Sequence, residues 1–379
     1  MRIIHLASTM KWTGVAEPMI NTAVYQKALG HEVWIGCSPG RSLEHAALHR
    51  GLEVLPGLHL SSKGNPVRHI QDFFRLRNLM KDLEPHVVHC HLLHDHWLAT
   101  YALGTLRKNC LLVRTLHRYK VPYRDLFHSW LFFRGTDGLL VPTEAMRTMF
   151  LSQYPSLEDR VFAVTGGVNL ERFHPALDGT VLRGELQIPL EAPVAGVVSR
   201  LRHDRGFDWL FASLPYVLEK IPEARIVIVG KGESLGQITE WSQTPPFTGR
   251  VFMAGYRSQD LPLAYAAMDI SLFLALGSEG GCRAVMEAMS SGRPVIGIQK
   301  GPVGELIQEG ITGFLVPRNN QELLSDVLVG ALSDLHRLKR MGQAARARAQ
   351  ALFCLKDKAF QTIQVYHKLA EQKSLSLPG

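Results

Sequence analysis

The sequence predicts an α/β protein with two doubly wound parallel sheets, one in each half of the chain. Short apolar runs alternate with longer helical stretches, which is typical of parallel strands covered by helices on both faces. The chain has 379 residues, of which 46% are hydrophobic, whereas a single core rarely grows beyond roughly 250–300 residues. We therefore expect two facing domains with a ligand cleft between them.

In the N-terminal half, apolar runs predict five strands separated by helices. Gly14 lies in the loop between the first strand and the first helix. A glycine there lets a ligand approach the backbone closely, and such loops line the crevice of an open parallel sheet. The predicted strands are 2–7, 32–37, 86–91, 111–116 and 138–142, and the helical stretches include 17–30 and 43–51.

Histidines are concentrated in this half, which holds 14 of the 17. Four of them form the run HCHLLHDH, at positions 89, 91, 94 and 96 around Asp95. The run raises a zinc hypothesis, because imidazoles and a carboxylate are zinc ligands. Strand alternation sends His89 and His91 to one face, whereas His94 and His96 fall in the next loop. We therefore favour polar groups at the cleft mouth over a metal site.

In the second half, the predicted strands are followed by loops that carry charge. Arg200 and Arg205 follow the strand 194–199 and precede a helix that begins near Gly206. Two guanidiniums beside a helix N-terminus fit a diphosphate, although two surface arginines are the alternative. The other predicted strands are 225–230, 251–255, 270–275 and 294–298.

The stretch 276–298, LGSEGGCRAVMEAMSSGRPVIGI, reads as loop, helix, turn and buried strand. Gly280 and Gly281 follow Glu279 and open the helix, and Glu287 lies about two turns further on. Two carboxylates that reach one polar ligand suggest a sugar. The alternative is that Glu279 only favours the helix N-terminus and that Glu287 is a solvated surface residue.

These residues carry a resemblance to a known family. Glu279, seven intervening residues, Glu287, Ala288-Met289, and later GELIQEGITGFLVP resemble the E-x7-E signature of retaining GT-B glycosyltransferases of family 4. GVNLERFHP (167–175) is similar to the family's interdomain linker. The resemblance implies two Rossmann-like domains and transfer of a sugar from a nucleoside-diphosphate donor with retention of anomeric configuration. It also implies a last helix that crosses back to the first domain.

The resemblance assigns roles residue by residue. His117, which ends a predicted strand and would otherwise be an ordinary strand-end histidine, lies beside the donor sugar and can donate to a hydroxyl or phosphate. His117 and Glu279 are thus the catalytic candidates. The donor-binding candidates are Gly14, Arg200 and Arg205 at the diphosphate, Arg257 at the base, Glu287 at the ribose, and Gly280, Gly281 and Cys282 through their backbone at the sugar, where the family usually has Phe-Gly in place of Gly281-Cys282.

We expect no cofactor and no metal, because the sequence has no D-x-D-like metal loop and the arginines can offset the charge on the departing diphosphate. No residue is a clear nucleophile, so front-side departure assisted by the phosphate is expected. The alternatives are a nucleotide-sugar epimerase or hydrolase and a non-catalytic, two-lobed sugar-binding protein. The domains are expected at 1–176 (acceptor side), 177–354 (nucleotide-sugar side) and 355–379 (the returning helix), with 176–193 as a turn-rich connection.

Charge is uneven: of the net +8, residues 1–176 carry +6, from 20 Lys/Arg against 14 Asp/Glu. The segments 67–83 and 107–135 interleave bases with large apolar side chains, as peripheral membrane surfaces do. An amphipathic helix packed on its own domain is the alternative. Nucleic acid is not expected, because no nucleic-acid-binding motif accompanies the charge.

Location and acceptor follow from these observations. Five cysteines without C-x-x-C spacing indicate reduced thiols, and no signal peptide or membrane span is evident. We expect a cytoplasmic enzyme, peripheral on the inner face of the cell membrane. Its acceptor is expected to be a saccharide or a lipid-linked precursor of lipopolysaccharide, O-antigen or another envelope glycan.

Overall fold

The chain forms two compact α/β units in a computed structural model. Unit 1 comprises residues 1–166 and 355–379, and unit 2 comprises residues 167–354. The structure describes residues 1–9, 14–60, 66–106, 109–117, 119, 124–275 and 279–378, without the side chains of 279–281. The division falls after Gly166, whereas the sequence analysis places it after residue 176.

Unit 1 is built on a seven-stranded sheet in the order β3-β2-β1-β4-β5-β6-β7, with every pair parallel. The strand order reverses between β1 and β4, which is the switch point where open parallel sheets bind ligands. The strands are β1 (Arg2–Ala7), β2 (Glu32–Cys37), β3 (Glu53–Val54), β4 (Val87–Cys90), β5 (Leu111–Thr115), β6 (Gly138–Val141) and β7 (Val161–Ala163).

Helices cover both faces of this sheet. The last helix, α15, follows unit 2 in the chain yet packs against α1 of unit 1. The helices before unit 2 are α1 (Ala16–Ala28), α2 (Ser42–His49), α3 (Pro66–Leu83), α4 (Leu93–Gly104), α5 (Leu126–Arg134), α6 (Glu144–Leu151) and a 3₁₀ helix, Pro155–Arg160.

Unit 2 is built on a six-stranded sheet in the order β10-β9-β8-β11-β12-β13, again with every pair parallel. Its order reverses between β8 and β11, so the loops after these two strands flank the switch point. The strands are β8 (Val194–Val198), β9 (Arg225–Val229), β10 (Val251–Gly255), β11 (Ile270–Phe273), β12 (Val295–Ile298) and β13 (Gly313–Val316).

The helices of unit 2 surround this sheet, and α15 then returns the chain to unit 1. They are α7 (Thr180–Glu185), a 3₁₀ helix (His203–Arg205), α8 (Phe207–Lys220), α9 (Leu235–Ser242), α10 (Leu261–Ala266), α11 (Glu279–Ser290), α12 (Pro302–Leu306), α13 (Gln321–Leu332) and α14 (Leu335–Leu352), followed by α15 (Leu355–Gln372).

Side-chain caps begin four of the described helices. Asp125, Thr143, Asn320 and Asp334 each accept a hydrogen bond from a backbone N–H in the first turn of the helix that follows. Such a cap satisfies a donor that has no partner within the helix and stabilises the helix by about 1 kcal/mol. The starts of α5, α6, α13 and α14 are therefore encoded locally.

Strand alternation in unit 1 sorts the sheet into two covered faces. Ile4 and Leu6 of β1 pack in one core, whereas Ile3 and Ala7 pack in the other, beneath α1 and α15. His5 has the same parity as Ile3 and Ala7, so it lies on the face that α1 and α15 cover. A histidine is thus built into an otherwise apolar interior.

The segment 176–193 differs from its prediction as an interdomain connection. It contains α7 and belongs to unit 2. Arg183 is its anchor: the guanidinium donates to the carbonyl oxygens of Leu190, Ala192 and Ala267, and it pairs with Asp269 at 3.0 Å. An arginine can enter a core when each of its donors finds an acceptor, so the segment is fixed to the unit.

No helix within the described parts of the chain is both long enough and apolar enough to cross a membrane.

Candidate functional site

Arginines gather in the loop between β8 and α8, at the switch point of unit 2. Arg200 is exposed, whereas the side chain of Arg205 is only 18% exposed. Burial lowers the pKa of Arg205, nearby Asp204 raises it, and the positive charges of Arg202 and Arg200 lower it further. The sequence analysis did not select Arg202. Cations that repel one another at a helix N-terminus favour an anionic ligand.

Arg205 is under-satisfied in its own loop. Its Nε is buried and makes no hydrogen bond with any described residue, although the carboxylate of Asp204 lies 3.5 Å away. A buried donor without a hydrogen-bond partner is costly and calls for an explanation in a folded protein. A phosphate oxygen would satisfy this donor.

Two glycines shape the arginine loop. Gly206 adopts φ +77° just before α8, and a side chain there would lie 2.7 Å from the carbonyl oxygen of Leu274. After β9, Gly230 adopts φ +151°, and a Cβ on it would lie 1.9 Å from the carbonyl oxygen of Ser199. Only glycine combines a positive φ with so close a backbone approach. The arginine loop is therefore packed directly on its neighbours.

Glu287 is buried in α11, with 4% of its surface exposed. Its carboxylate accepts from Arg283 Nε at 2.7 Å and from the Tyr265 hydroxyl at 3.0 Å. The alternative of a solvated surface glutamate is therefore wrong, because a buried carboxylate must be paired. Its predicted contact with the donor ribose stays a prediction.

The start of α11 lies partly outside the described residues. The structure places Glu279, Gly280 and Gly281 in the first turn of the helix without describing their side chains. Cys282 is buried in the core of unit 2. Its side chain is therefore a core group, and the predicted sugar contact of this turn would come from the backbone.

The guanidinium of Arg257 is paired with acceptors within unit 2. It donates to Glu185, to Asp260 at 2.7 Å and to the carbonyl oxygen of Ala254 at 2.9 Å. These contacts raise the pKa of Arg257, mainly through the bond to Glu185. They fix the segment after β10 to α7 and give no support to the base contact predicted for Arg257, which stays a prediction.

In unit 1, the candidate residues lie after the carboxyl ends of the central strands. Gly14 is exposed in the turn before α1, and residues 10–13 of its loop lie outside the described part of the chain. His117 follows β5 and is buried. Its Nε2 lies 3.0 Å from Nδ1 of His91. His117 therefore belongs to a side-chain network that the sequence analysis did not foresee.

The histidine run 89–96 does not converge on one point. His89 and His91 point into the interior, where they join His5, while the ring of His94 lies against that of His69 of α3, with 50° between their planes. His96 contacts Arg114 and Thr136. The zinc site considered for the run as a set is therefore not formed by its described residues.

Asp95 binds backbone groups, unlike the histidines around it, which contact other side chains. It is fully buried, and its carboxylate accepts from the backbone N–H groups of Ser8 and Leu92. Burial outweighs these bonds and raises the pKa of Asp95 to about 7. Because Ser8 follows β1, Asp95 anchors the start of the loop that carries Gly14.

Comparison with known families covers most of the chain. Residues 179–348 match the family of glycosyl transferases group 1, and residues 12–172 match glycosyltransferase family 4. The two matches meet near the division between the units. The chain is a group 1 glycosyltransferase with the GT-B fold. The enzyme class and the two Rossmann-like domains predicted from the sequence are thereby confirmed.

Individual relatives agree with this assignment. The glycosyltransferase is 28% identical over 359 residues to a GDP-mannose-dependent alpha-mannosyltransferase of Mycobacterium tuberculosis, covering 88% of this chain and 87% of the relative. It is 32% identical over 197 residues to a GDP-mannose-dependent monoacylated alpha-(1-6)-phosphatidylinositol monomannoside mannosyltransferase of Corynebacterium glutamicum, covering 49% and 50% of the two chains. A glycosyltransferase structure from Rickettsia africae superposes with a TM-score of 0.87 at 20% identity over 98% of both chains.

Proposed function

We propose that this glycosyltransferase moves a hexosyl group, with mannose as the first candidate, from a nucleoside-diphosphate sugar to an envelope glycan acceptor with retention of configuration. The observation that carries the donor side is the under-satisfied Arg205 beside Arg200 at the N-terminus of α8. Guanidiniums bind phosphate oxygens in a planar fork, and the helix end adds partial positive charge. Mannose is suggested by the two relatives, whose names specify GDP-mannose.

The proposed chemistry places charge stabilisation on unit 2. As the glycosidic bond breaks, negative charge grows on the departing diphosphate, and Arg200 and Arg205 offset it. Glu287, held by Arg283 and Tyr265, presents an oriented carboxylate to the donor ribose. Glu279 and His117 position the transferred sugar in this proposal, which requires no metal ion or other cofactor.

A transfer assay tests the reaction and its stereochemistry. With GDP-α-mannose and a saccharide or lipid-linked acceptor, we expect a new α-linkage, read from the anomeric proton and carbon signals of the product by NMR. UDP-α-glucose serves as the matched donor control. A β-linked product would contradict retention, whereas equal release of free sugar with and without acceptor would favour the hydrolase alternative.

The proposed acceptor side includes an anionic membrane surface. Several apolar side chains of α3, α4 and α5 in unit 1 are exposed, led by Leu126 at 88% and Phe127 at 75% exposure. Helix α3 packs on α4. Trp130 of α5 stacks on Trp97 of α4 at 5.8 Å between ring centroids. We call this set the α3–α5 surface. Its exposed members are Val67, Ile70, Phe74, Tyr101, Leu126, Phe127 and Trp130.

Basic residues accompany the α3–α5 surface. The exposed bases are Arg68, Arg75 and Lys81 on α3, Arg124 before α5 and Arg134 at the end of α5. Other apolar residues of the same helices, including Leu76 and Phe132, pack inward, so the alternative of a helix packed on its own domain describes only part of each helix. Bases around exposed aromatic groups favour an anionic lipid interface, where each base contributes about 1 kcal/mol.

Vesicle sedimentation tests the membrane proposal. We expect binding to phosphatidylserine-containing vesicles at low salt, weaker binding at high salt and little binding to neutral vesicles. The double substitution Leu126→Ser and Phe127→Ser should reduce binding at least ten-fold, because burying such side chains is worth about 1.5–3 kcal/mol each. Leu190→Ser, at a leucine of unit 2 that is 61% exposed, is the control. Absence of binding at low salt would favour a soluble acceptor.

A further inference from the structure

Unit 1 contains a row of buried histidines beneath α1 and α15. Strand alternation directs His5 of β1 and His89 of β4 to the same face of the sheet, and His91 follows on that face. None of the three exceeds 4% exposure. Their rings lie 4.5–5.3 Å apart between centroids. Polar side chains so deep in a core require partners.

Two histidines of the row, His5 and His91, belong to a continuous chain of short contacts that starts at Gln26 and ends at His117. Oε1 of Gln26, on α1, lies 2.7 Å from Nε2 of His5. Nδ1 of His5 lies 3.0 Å from Nε2 of His91, and Nδ1 of His91 lies 3.0 Å from Nε2 of His117. Each imidazole thus uses one nitrogen toward each neighbour.

The two inner imidazoles of the chain, those of His5 and His91, are neutral at physiological pH. Burial lowers the pKa of His5 to about 4 and that of His91 well below its usual value. A neutral imidazole has one N–H donor and one lone-pair acceptor. Every hydrogen bond along the chain must therefore point in the same direction, and both directions satisfy all the imidazoles.

Gln26 selects between the two directions. Its amide oxygen can only accept and its amide nitrogen can only donate. Because the oxygen faces His5, the proton of His5 lies on Nε2 and its lone pair on Nδ1. The same reasoning places the protons of His91 and His117 on Nε2.

A second branch from Gln26 follows the same direction. The amide nitrogen donates to the Tyr366 hydroxyl at 3.4 Å. The hydroxyl lies 2.6 Å from Nδ1 of His89, and Nε2 of His89 lies 2.7 Å from the Thr115 hydroxyl. The phenol can accept from the amide while it donates to His89. Both branches are therefore satisfied by a single orientation of Gln26.

A metal ion is the other way to use three adjacent imidazoles. Zinc requires ligand nitrogens about 2.0–2.1 Å from one point with converging lone pairs. The rings of His89 and His91 are instead stacked, with 18° between their planes, and those of His5 and His91 with 29°. Stacked rings direct their lone pairs along similar directions, so the geometry favours the hydrogen-bonded chain.

We infer that Gln26 is a positioning residue that acts through His5 and His91 to keep a proton on Nε2 of His117. The hydrogen bond from this N–H to His91 fixes the orientation of the His117 ring. That the ring faces the transferred sugar rests on the proposed function, but the position of the proton does not. Because an amide does not relay protons, the chain orients His117 and does not conduct protons from it.

Nitrogen-15 NMR of the histidine side chains in the full-length protein tests the position of this proton. The signals of His117 are assigned by their loss in His117→Asn. In the wild type we expect a proton on Nε2 of His117 that is hydrogen-bonded to Nδ1 of His91. An unprotonated Nε2 would show that the chain runs the other way and would overturn the inference, as would a stoichiometric zinc ion found in the protein by elemental analysis.

Three substitutions test the role of Gln26. Gln26→Leu removes the acceptor and should lower the fraction of His117 that carries a proton on Nε2. Gln26→Glu keeps an acceptor oxygen toward His5 and should preserve the wild-type proton position. Tyr366→Phe removes a buried partner from the other branch and should also leave His117 unchanged. An Nε2 proton of His117 that is unaffected by folded Gln26→Leu would overturn the inference. If that variant does not fold, the wild-type spectrum still decides.

Kinetics then connect the position of the proton to transfer. Gln26→Leu should lower kcat about ten-fold, the lower end of the loss when a functional imidazole loses its orienting partner, with a smaller change in the donor KM. Gln26→Glu should restore kcat. An unchanged kcat in a Gln26→Leu variant that has lost the Nε2 proton would overturn the positioning role of Gln26 in transfer, and absence of transfer in the wild type would contradict the proposed function instead.

Discussion

Replacing both Arg200 and Arg205 with alanine is expected to reduce kcat/KM for the nucleotide-sugar donor by about a hundred-fold. A hydrogen bond to a charged group is worth roughly 1.5–3 kcal/mol, and each 1.4 kcal/mol is a factor of ten. Either single substitution should therefore cost about ten-fold. Steady-state kinetics and calorimetry with the bare nucleoside diphosphate measure the effect, which should appear in both.

The matched control for this prediction is Arg340→Ala, which removes an exposed arginine of α14 in the same unit. It should leave donor kinetics unchanged. Thermal unfolding of all variants separates loss of binding from loss of fold. If both arginine variants retain wild-type kinetics, the diphosphate site does not lie in the loop after β8.

Lowering the pH from 7 to 4 is expected to destabilise unit 1. Burial lowers the pKa of His5 to about 4, and it lowers the pKa of His89, His91 and His96 well below the usual 6.5. The unfolded chain therefore binds more protons than the folded one below pH 6.5, so stability falls with the pH. For His5 alone the loss reaches about 3 kcal/mol by pH 4. Asp95 opposes it, because its pKa is raised to about 7.

Hydrogen exchange of the β1 and β4 amides in urea, followed across this pH range, reports the stability of unit 1 separately from that of unit 2. His5→Gln removes one titrating group and should make the pH dependence shallower. His49→Gln, at an exposed histidine of α2, should leave it unchanged. A stability that rises as the pH falls would contradict the assignment of neutral histidines.

Local sequence pattern predicted ten of the thirteen described strands. Strands β1, β2 and β10 have the predicted bounds, because alternating or continuous apolar runs between turns encode them directly. The edge strands β3 (Glu53–Val54), β7 (Val161–Ala163) and β13 (Gly313–Val316) were missed. With two and three residues, β3 and β7 are too short to show a periodicity. The helix α7 was missed because its turn-rich sequence is held by Arg183, whose acceptors lie as far as 84–86 residues away in the chain.

The candidate site was predictable where a residue acts through its position after a strand, and not where it acts through distant partners. Arg200 and Arg205 follow β8 as expected. The link from His117 to Gln26 joins residues of β1 and α1 to residues that follow β4 and β5, and no local spacing reveals it. The burial of Glu287 depends on Tyr265 of α10, which sequence distance also conceals.

Because α15 belongs to unit 1, most of unit 1 is synthesised before unit 2, but unit 1 is completed after it. Residues 1–166 leave the ribosome first, yet the apolar face that receives Ile363, Tyr366 and Leu369 stays uncovered until α15 emerges. The intervening 188 residues, 167 to 354, take on the order of 10–40 s at about 5–20 residues per second. During that interval unit 2 can finish folding while the nascent unit 1 still exposes a chaperone-binding surface.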